Sequence, residues 1–185
     1  MASFRVIYDT CVLVPAPLRD LLLRVAEAGL VRASMSDDIL DELERVLVRD
    51  FAVPDEAARR LRSAVERSFE ESVTKRERYA DLVGLGGLPD EDDEHVLALA
   101  RSVGAQAIVT TNLKGFPDDK IGRFDLEILH PDDFLLDLVD LFPVKLARIV
   151  GEQAAMLKNP PMTYEEVLDA LARSVPATVA RLREL

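Results

Sequence analysis

Short runs of β-branched and other apolar residues alternate with amphipathic stretches along most of this chain. That alternation narrows its folds more than any other feature. FRVIY (4–8) reads as a buried strand, short and ending at a polar residue. Pro15 and Pro17 then break the chain, and LRDLLLRVAEAG (18–29) has the spacing of an amphipathic helix stopped by Gly29. VRASM (31–35) predicts a second strand. Ser36 follows as an N-cap, with Asp37 and Asp38 in a first turn where the helix dipole favours negative charge. The helix 36–50 lines up Ile39, Leu40, Leu43, Val46 and Leu47 on one face. Another helix follows Pro54, through EAARRLRSAVERSFEE (56–71). YADLVGLGGLP (79–89) is Gly-rich and irregular, with room for one strand. DEDDEHVLALARSVG (90–104) predicts a helix closed by Gly104, AQAIVTTN (105–112) and FDLEILHP (124–131) two more strands, and DDFLLDLVDLF (132–142) a further helix. Strands alternating with helices predict an α/β fold, a three-layer α/β/α arrangement around a central parallel sheet.

The chain changes character after residue 142. VKLARIVGEQAAMLK is followed by a breaker, Asn159-Pro160-Pro161. Thr163 and Glu166 form a capping-box pattern opening YEEVLDALARS, and a last helix follows Pro176. The division predicted is a first domain over 1–142 and a helical C-terminal extension over 143–185. Val144, Ile149, Val150 and Leu157 of the extension are expected to pack on the domain or on a partner.

With 185 residues, 49% hydrophobic, the chain can bury a core without staples. Its single cysteine allows no intramolecular disulfide, so a reducing, cytoplasmic setting is expected. No stretch approaches the roughly 20 apolar residues of a membrane helix, and MASFRVIYD lacks the pattern of a secretory leader. The net charge of −11 argues against a general polyanion binder. It leaves room for an enzyme that brings phosphate to a divalent cation in an acidic cleft.

One acid stands out. In VIYDTCVLV (6–14), Asp9 is set into an apolar run, and a carboxylate taken out of water must be paired, protonated or bound to a metal. Ligands of open α/β sheets sit beyond the carboxyl ends of the strands, where Asp9 and Asn112 both fall. Asp93 aligns with Val96, Leu97 and Ala100, so it lies on the inward face of its helix. Glu42 and Glu44 flank the two edges of one apolar stripe, and periodicity does not choose between them. Asp90, Glu91, Asp92 and Glu94 crowd the same helix start as Asp93 and suit capping. Converging carboxylates and amide oxygens suit Mg²⁺ or Mn²⁺, which would also explain how mutually repelling acids coexist.

Taken together, YDTCVLV (8–14), SDDILDELERVL (36–47), LPDEDDEHVLALA (88–100) and AIVTTNLKGFP (107–117) resemble the motif blocks of the PIN-domain family of metal-dependent nucleases. The nearest resemblance is to PIN toxins of bacterial type II toxin–antitoxin systems, over roughly residues 4–137 and with the blocks in the family's order. It implies a Mg²⁺- or Mn²⁺-dependent endoribonuclease acting on RNA, restrained by a protein antitoxin, homodimeric and cytoplasmic. It implies metal ligation by Asp9, Glu42 and Asp93, with Asp90 as a helper and Asn112 as the fourth catalytic position, and it favours Glu42 over Glu44. Three departures stand out: Cys11 where the family usually has Asn, Asn112 where it frequently has Asp, and Gly115 where an acid often precedes the Phe. They motivate an alternative, a PIN-fold binding module with an impaired site. A phosphatase with Asp9 as nucleophile, as in the haloacid-dehalogenase superfamily, would want a second Asp where Cys11 stands. Cys11 itself reads as a small packed residue, and neither His95 nor His130 forms a Cys–His nucleophile pattern with it. The stretches EAARRLRSAVER and TKRERY (74–79) read as solvated faces, whereas Arg45, Lys114 and Arg19 are placed near the crevice, where they would steer phosphate.

Overall fold

The strand ends that matter most lie side by side because the chain reverses its direction of travel across the sheet. In the computed structural model, which describes residues 4–185, β1 (Arg5–Tyr8) is the central strand. The chain continues through α1 (Thr10–Leu13), α2 (Ala16–Glu27), β2 (Arg32–Ser36), α3 (Asp37–Phe51), α4 (Asp55–Ser68) and the two-residue β3 (Val73–Thr74). It then returns through α5 (Glu94–Val103), β4 (Ala107–Val109), α6 (Asp118–Ile121) and β5 (Glu127–Leu129). Four helices close it: α7 (Pro131–Leu141), α8 (Pro143–Met156), α9 (Tyr164–Leu171) and α10 (Pro176–Arg183). The order across the sheet is β3-β2-β1-β4-β5, every pair parallel. The turning point therefore falls between β1 and β4, the place where open α/β sheets bind ligands. Their register pairs Tyr8 with Val109, so Asp9 and Thr110 leave the ladder side by side. Residues 1–3, where the predicted first domain and the leader reading begin, lie outside the described residues.

Val6, Ile7, Tyr8, Ala107, Ile108 and Val109 are fully buried, as helices on both sheet faces require. Local signals place many of the helix ends. Ser36 Oγ accepts the Ile39 N–H at 3.3 Å, Gly104 closes α5 with φ +63°, and Thr163 and Glu166 make the capping box of α9. Prolines open α7, α8 and α10, as a fixed φ and a missing N–H favour.

The edge strand differs from expectation. It is Val73–Thr74, paired with Met35 and Ser36, and no strand forms within 79–89. That segment is instead a loop fastened by the buried carboxylate of Glu94, which accepts the N–H groups of Gly86 at 2.9 Å and Leu88 at 2.7 Å. A Cβ at Gly86 would run into Glu94 and Leu97, which explains the glycine. The strands expected over 105–112 and 124–131 shorten to three residues each, because their polar ends turn away into caps and loops.

The C-terminal helices pack on the rest of the chain, α8 against α2 and α7, and α10 against α7. Ile149 and Val150 are buried there as expected, while Val144 is exposed. Asp132 in the first turn of α7 accepts the N–H groups of Ala177 and Thr178 and the Thr178 hydroxyl, which caps α10 from a distance. Gln153 Nε2 reaches the carbonyl of Pro17 at 3.0 Å, tying α8 to the start of α2. Among the described residues no helix is long and apolar enough to cross a membrane.

Candidate active site at the carboxyl ends of the strands

Asp9 follows β1 directly and caps α1, with only 6% of its surface exposed. Its Oδ1 accepts the Thr10 N–H at 2.7 Å. Its Oδ2 accepts the Thr110 hydroxyl at 2.6 Å and the Cys11 thiol at 3.2 Å. A carboxylate offers about four lone-pair sites, so these donors fix its orientation without exhausting it.

Glu42 approaches from α3. Its Oε2 accepts the Thr10 hydroxyl at 2.6 Å and lies 3.7 Å from His95 Nε2. The His95 imidazole, helped by the Thr10 hydroxyl and by Arg45, holds the Glu42 carboxyl below the usual range against the opposing effect of burial. Glu44 is drawn elsewhere, 3.8 Å from Arg62, which also binds Asp41. Of the two, Glu42 is the one whose partners, Thr10 and His95, lie beside Asp9 and Asp93.

Asp93 ends the 3-10 turn Glu91–Asp93 ahead of α5 and is half-buried. Its Oδ2 accepts Asn112 Nδ2 at 2.9 Å. Burial, then the charges of Asp9 and Asp90, and lastly that of Glu42 push its pKa up to about 6, with the Asn112 hydrogen bond opposing them. Asp90 itself is exposed and accepts the Asp92 N–H at 3.0 Å, a capping contact. Asn112 also accepts the Gly115 N–H through Oδ1 at 3.2 Å. A Cβ at Gly115 would overlap Asp93 Oδ2 and Asn112 Nδ2, so a side chain at this position would displace both.

The predicted residues therefore form two linked groups. Glu42 joins Asp9 through Thr10, and Asp93 joins Asn112. Thr110 connects the groups, since its hydroxyl donates to Asp9 and accepts the Asn112 N–H at 2.9 Å. Among the described residues no three His, Cys, Asp or Glu side chains enclose a metal position. The donor chemistry still fits a hard divalent cation. The donors are oxygens, and the acids around Asp93 raise its proton affinity, which a cation would relieve. An ion such as Mg²⁺ also binds through only one or two carboxylates and keeps several waters.

Beside Glu42 opens a groove of about 970 Å³ lined by seven acids, Asp38 and Glu44 among them, and by Arg45, Arg49, Arg62, Arg76 and His95. Three of these arginines are committed: Arg49 to Asp50, Arg62 to Asp41 and Glu66, and Arg76 to Asp38. Arg45 forms no ion pair among the described residues. Lys114 is exposed next to Asn112. Arg19 is engaged by backbone carbonyls. Its guanidinium donates to the carbonyls of Leu13 at 2.6 Å and Val14 at 3.2 Å, bracing the α1–α2 junction.

Cys11 packs as expected and does more. Its sulfur lies 3.2 Å from Asp9 Oδ2, Thr110 Oγ1 and Thr111 N. Burial and the Asp9 charge push the thiol pKa up, so it serves as a neutral donor and not as a nucleophile. Thr10 and Thr110 are the site residues that sequence reasoning passed over, and His95, expected off the apolar face as an exposed or phosphate-contacting residue, is instead mostly buried beside Glu42. The two threonines each directly follow the polar or apolar end of a strand block, a signal shared with ordinary caps.

A PIN domain family model matches residues 5–114, a span that holds Asp9, Glu42, Asp90, Asp93 and Asn112. A second model, described as the VapC50 C-terminal domain, matches residues 131–184. A Mycobacterium tuberculosis protein named "Putative ribonuclease VapC50" is 44% identical over 93 residues, which cover 50% of this chain and 55% of that protein. The chain thus matches about half the length of that relative.

Proposed function

The chain belongs to the PIN-domain family, and from that premise we propose that it is a Mg²⁺- or Mn²⁺-dependent endoribonuclease, the toxin of a toxin–antitoxin pair. The observation that carries the reading is the linked group of Asp9, Glu42, Asp93 and Asn112 at the β1–β4 turning point, where burial and then the charges of Asp9, Asp90 and Glu42 raise the Asp93 pKa. The ribonuclease named among the relatives supports the choice of substrate.

Asp9, Glu42 and Asp93 would hold the cation, with Asp90 at the outer edge. When bound, such an ion supplies Lewis acidity to a phosphodiester and lowers the pKa of water beside it. The chain's own residues set the stage for this. Thr10 and His95 keep Glu42 ionised and turned inward. Asn112 orients Asp93 while adding no charge. Arg45, which forms no ion pair among the described residues and whose charge already favours the Glu42 carboxylate, supplies a counter-charge for phosphate on the α3 side, and Lys114 does so near Asn112. Hydrolysis places the water oxygen on phosphorus and a proton on the departing ribose oxygen.

The natural partners on this reading are RNA, a protein antitoxin and a second copy of the chain, in the cytoplasm. Residues 1–142 carry the nuclease and 143–185 the helical extension. A second reading, a PIN-fold binding module with an impaired site, is motivated by Asn112 and Gly115 and by the open ligand set. An Asp9-nucleophile phosphatase gains no support, because donors engage both Asp9 oxygens and Cys11 replaces the second acid. The test is cleavage of an RNA panel with Mn²⁺. The nuclease reading expects cutting that chelation stops and that Asp93→Asn loses; a folded, metal-supplied protein that cuts no RNA would favour the binding module.

A further inference from the structure

The ends of β1 and β4 are joined by a sulfur. Cys11 Sγ accepts the Thr111 N–H at 3.2 Å on one side and donates to Asp9 Oδ2 at 3.2 Å on the other. Thr110 Oγ1, also 3.2 Å from the sulfur, donates to Asp9 Oδ2 at 2.6 Å and accepts the Asn112 N–H at 2.9 Å. Thr110 is fully buried, so its hydroxyl finds its partners only inside this group. A side chain that merely filled space would need none of these contacts.

We propose that Cys11 and Thr110 form a cross-strand clasp that positions Asp9 relative to Asn112, and through Asn112 relative to Asp93. Cys11 is a positioning residue. It sets the rotation of the Asp9 carboxylate and ties the β4 end to it. Sulfur suits the task because one large atom reaches three polar atoms at 3.2 Å, a separation too long for strong O–H···O bonds. The effect on catalysis rests on the metal-nuclease reading, whereas the clasp itself does not.

The experiment compares the wild-type full chain with Cys11→Ala, Cys11→Val, Cys11→Ser and Asp9→Asn. It records Thr111 amide exchange by NMR in the metal-free protein, Mn²⁺ affinity by electron paramagnetic resonance, and RNA cleavage. Cys11→Ala should speed Thr111 exchange and lower Mn²⁺ affinity and kcat by about 10–100-fold, the usual cost of losing an outer-shell partner. Cys11→Val, which keeps apolar volume without a donor, should fail in the same way, and Cys11→Ser, a donor with shorter reach, should recover part of the loss and no more. If Cys11→Val matches the wild type, or Cys11→Ser does no better than Cys11→Ala, the sulfur only packs and the clasp is overturned. Asp9→Asn separates the two ideas. Should it bind Mn²⁺ and cleave like the wild type, the metal-nuclease reading fails, and Thr111 exchange still decides the clasp.

Discussion

Buried carboxylates of this protein, those that fasten loops and helices and those at the β1–β4 turning point, are handled in opposite ways. Glu94, 4% exposed, is held by two backbone N–H groups of the 79–89 loop. Asp132, 9% exposed, is held by two backbone N–H groups and a hydroxyl at the start of α10. Each works as a staple, Glu94 for the loop just before its own helix and Asp132 for a helix 45 residues further on. At the β1–β4 turning point, Asp9 receives two of its hydrogen bonds from side chains, and Asp93 has one amide donor against three neighbouring acids. Burial of an acid is therefore not what marks a site. The mark is unrelieved repulsion together with lone pairs left over.

If that distinction holds, the two kinds of acid fail differently when replaced. Asp9→Asn should cut RNA cleavage by more than about a hundredfold, beyond the cost of losing an outer-shell partner, with the fold retained by circular dichroism. Asp132→Ala should instead cost about 2–3 kcal/mol of stability, the scale of hydrogen bonds to a charged group, measured by urea unfolding. Cleavage per folded molecule should stay unchanged. An Asp132 variant that folds well but no longer cuts would break the comparison.

Gly115→Asp sharpens it from the other side. The substitution adds the acid that the family often carries, yet its Cβ would displace Asp93 and Asn112, so cleavage should fall by about tenfold rather than rise. Higher activity in this variant would show that charge, not space, limits the site. The pH dependence follows from Asp93. Its pKa in the folded protein is about 6, above the ordinary 3.8, so the folded state holds this proton more tightly. Its contribution to stability is full below the ordinary value and is lost as pH rises through about 6. Metal-free wild type should therefore lose melting temperature over that window relative to Asp93→Asn. The smallest effect belongs to Arg45. Arg45→Ala should weaken RNA binding in Ca²⁺ and reduce the salt slope by about one, without abolishing cleavage.

How much of this was legible in the residues depended on how local the signal is. Ser36, Gly104 and the Thr163–Glu166 pair act on their own helices, and each was readable in place. The order of blocks around Asp9, Glu42, Asp93 and Asn112 carried the family. β3 was not readable, because a two-residue strand exists only through its pairing with β2. Glu42 and Glu44 could not be separated by a helical wheel, since their partners, Thr10 and Arg62, lie on other elements. Cys11 looked like packing alone because its polar partners, Thr110 and Thr111, arrive about a hundred residues later in the chain. Arg19 looked free for phosphate because a sequence does not show the carbonyls of Leu13 and Val14 that engage it.

The central claim is that the acids at the turning point gather a divalent cation. Mn²⁺ titration of metal-free wild type and Asp93→Asn, followed by electron paramagnetic resonance, tests it most directly. The account predicts binding by the wild type and a loss of affinity of at least about tenfold in the variant. Wild type that leaves Mn²⁺ free in solution, or a variant that binds it equally well, would contradict it.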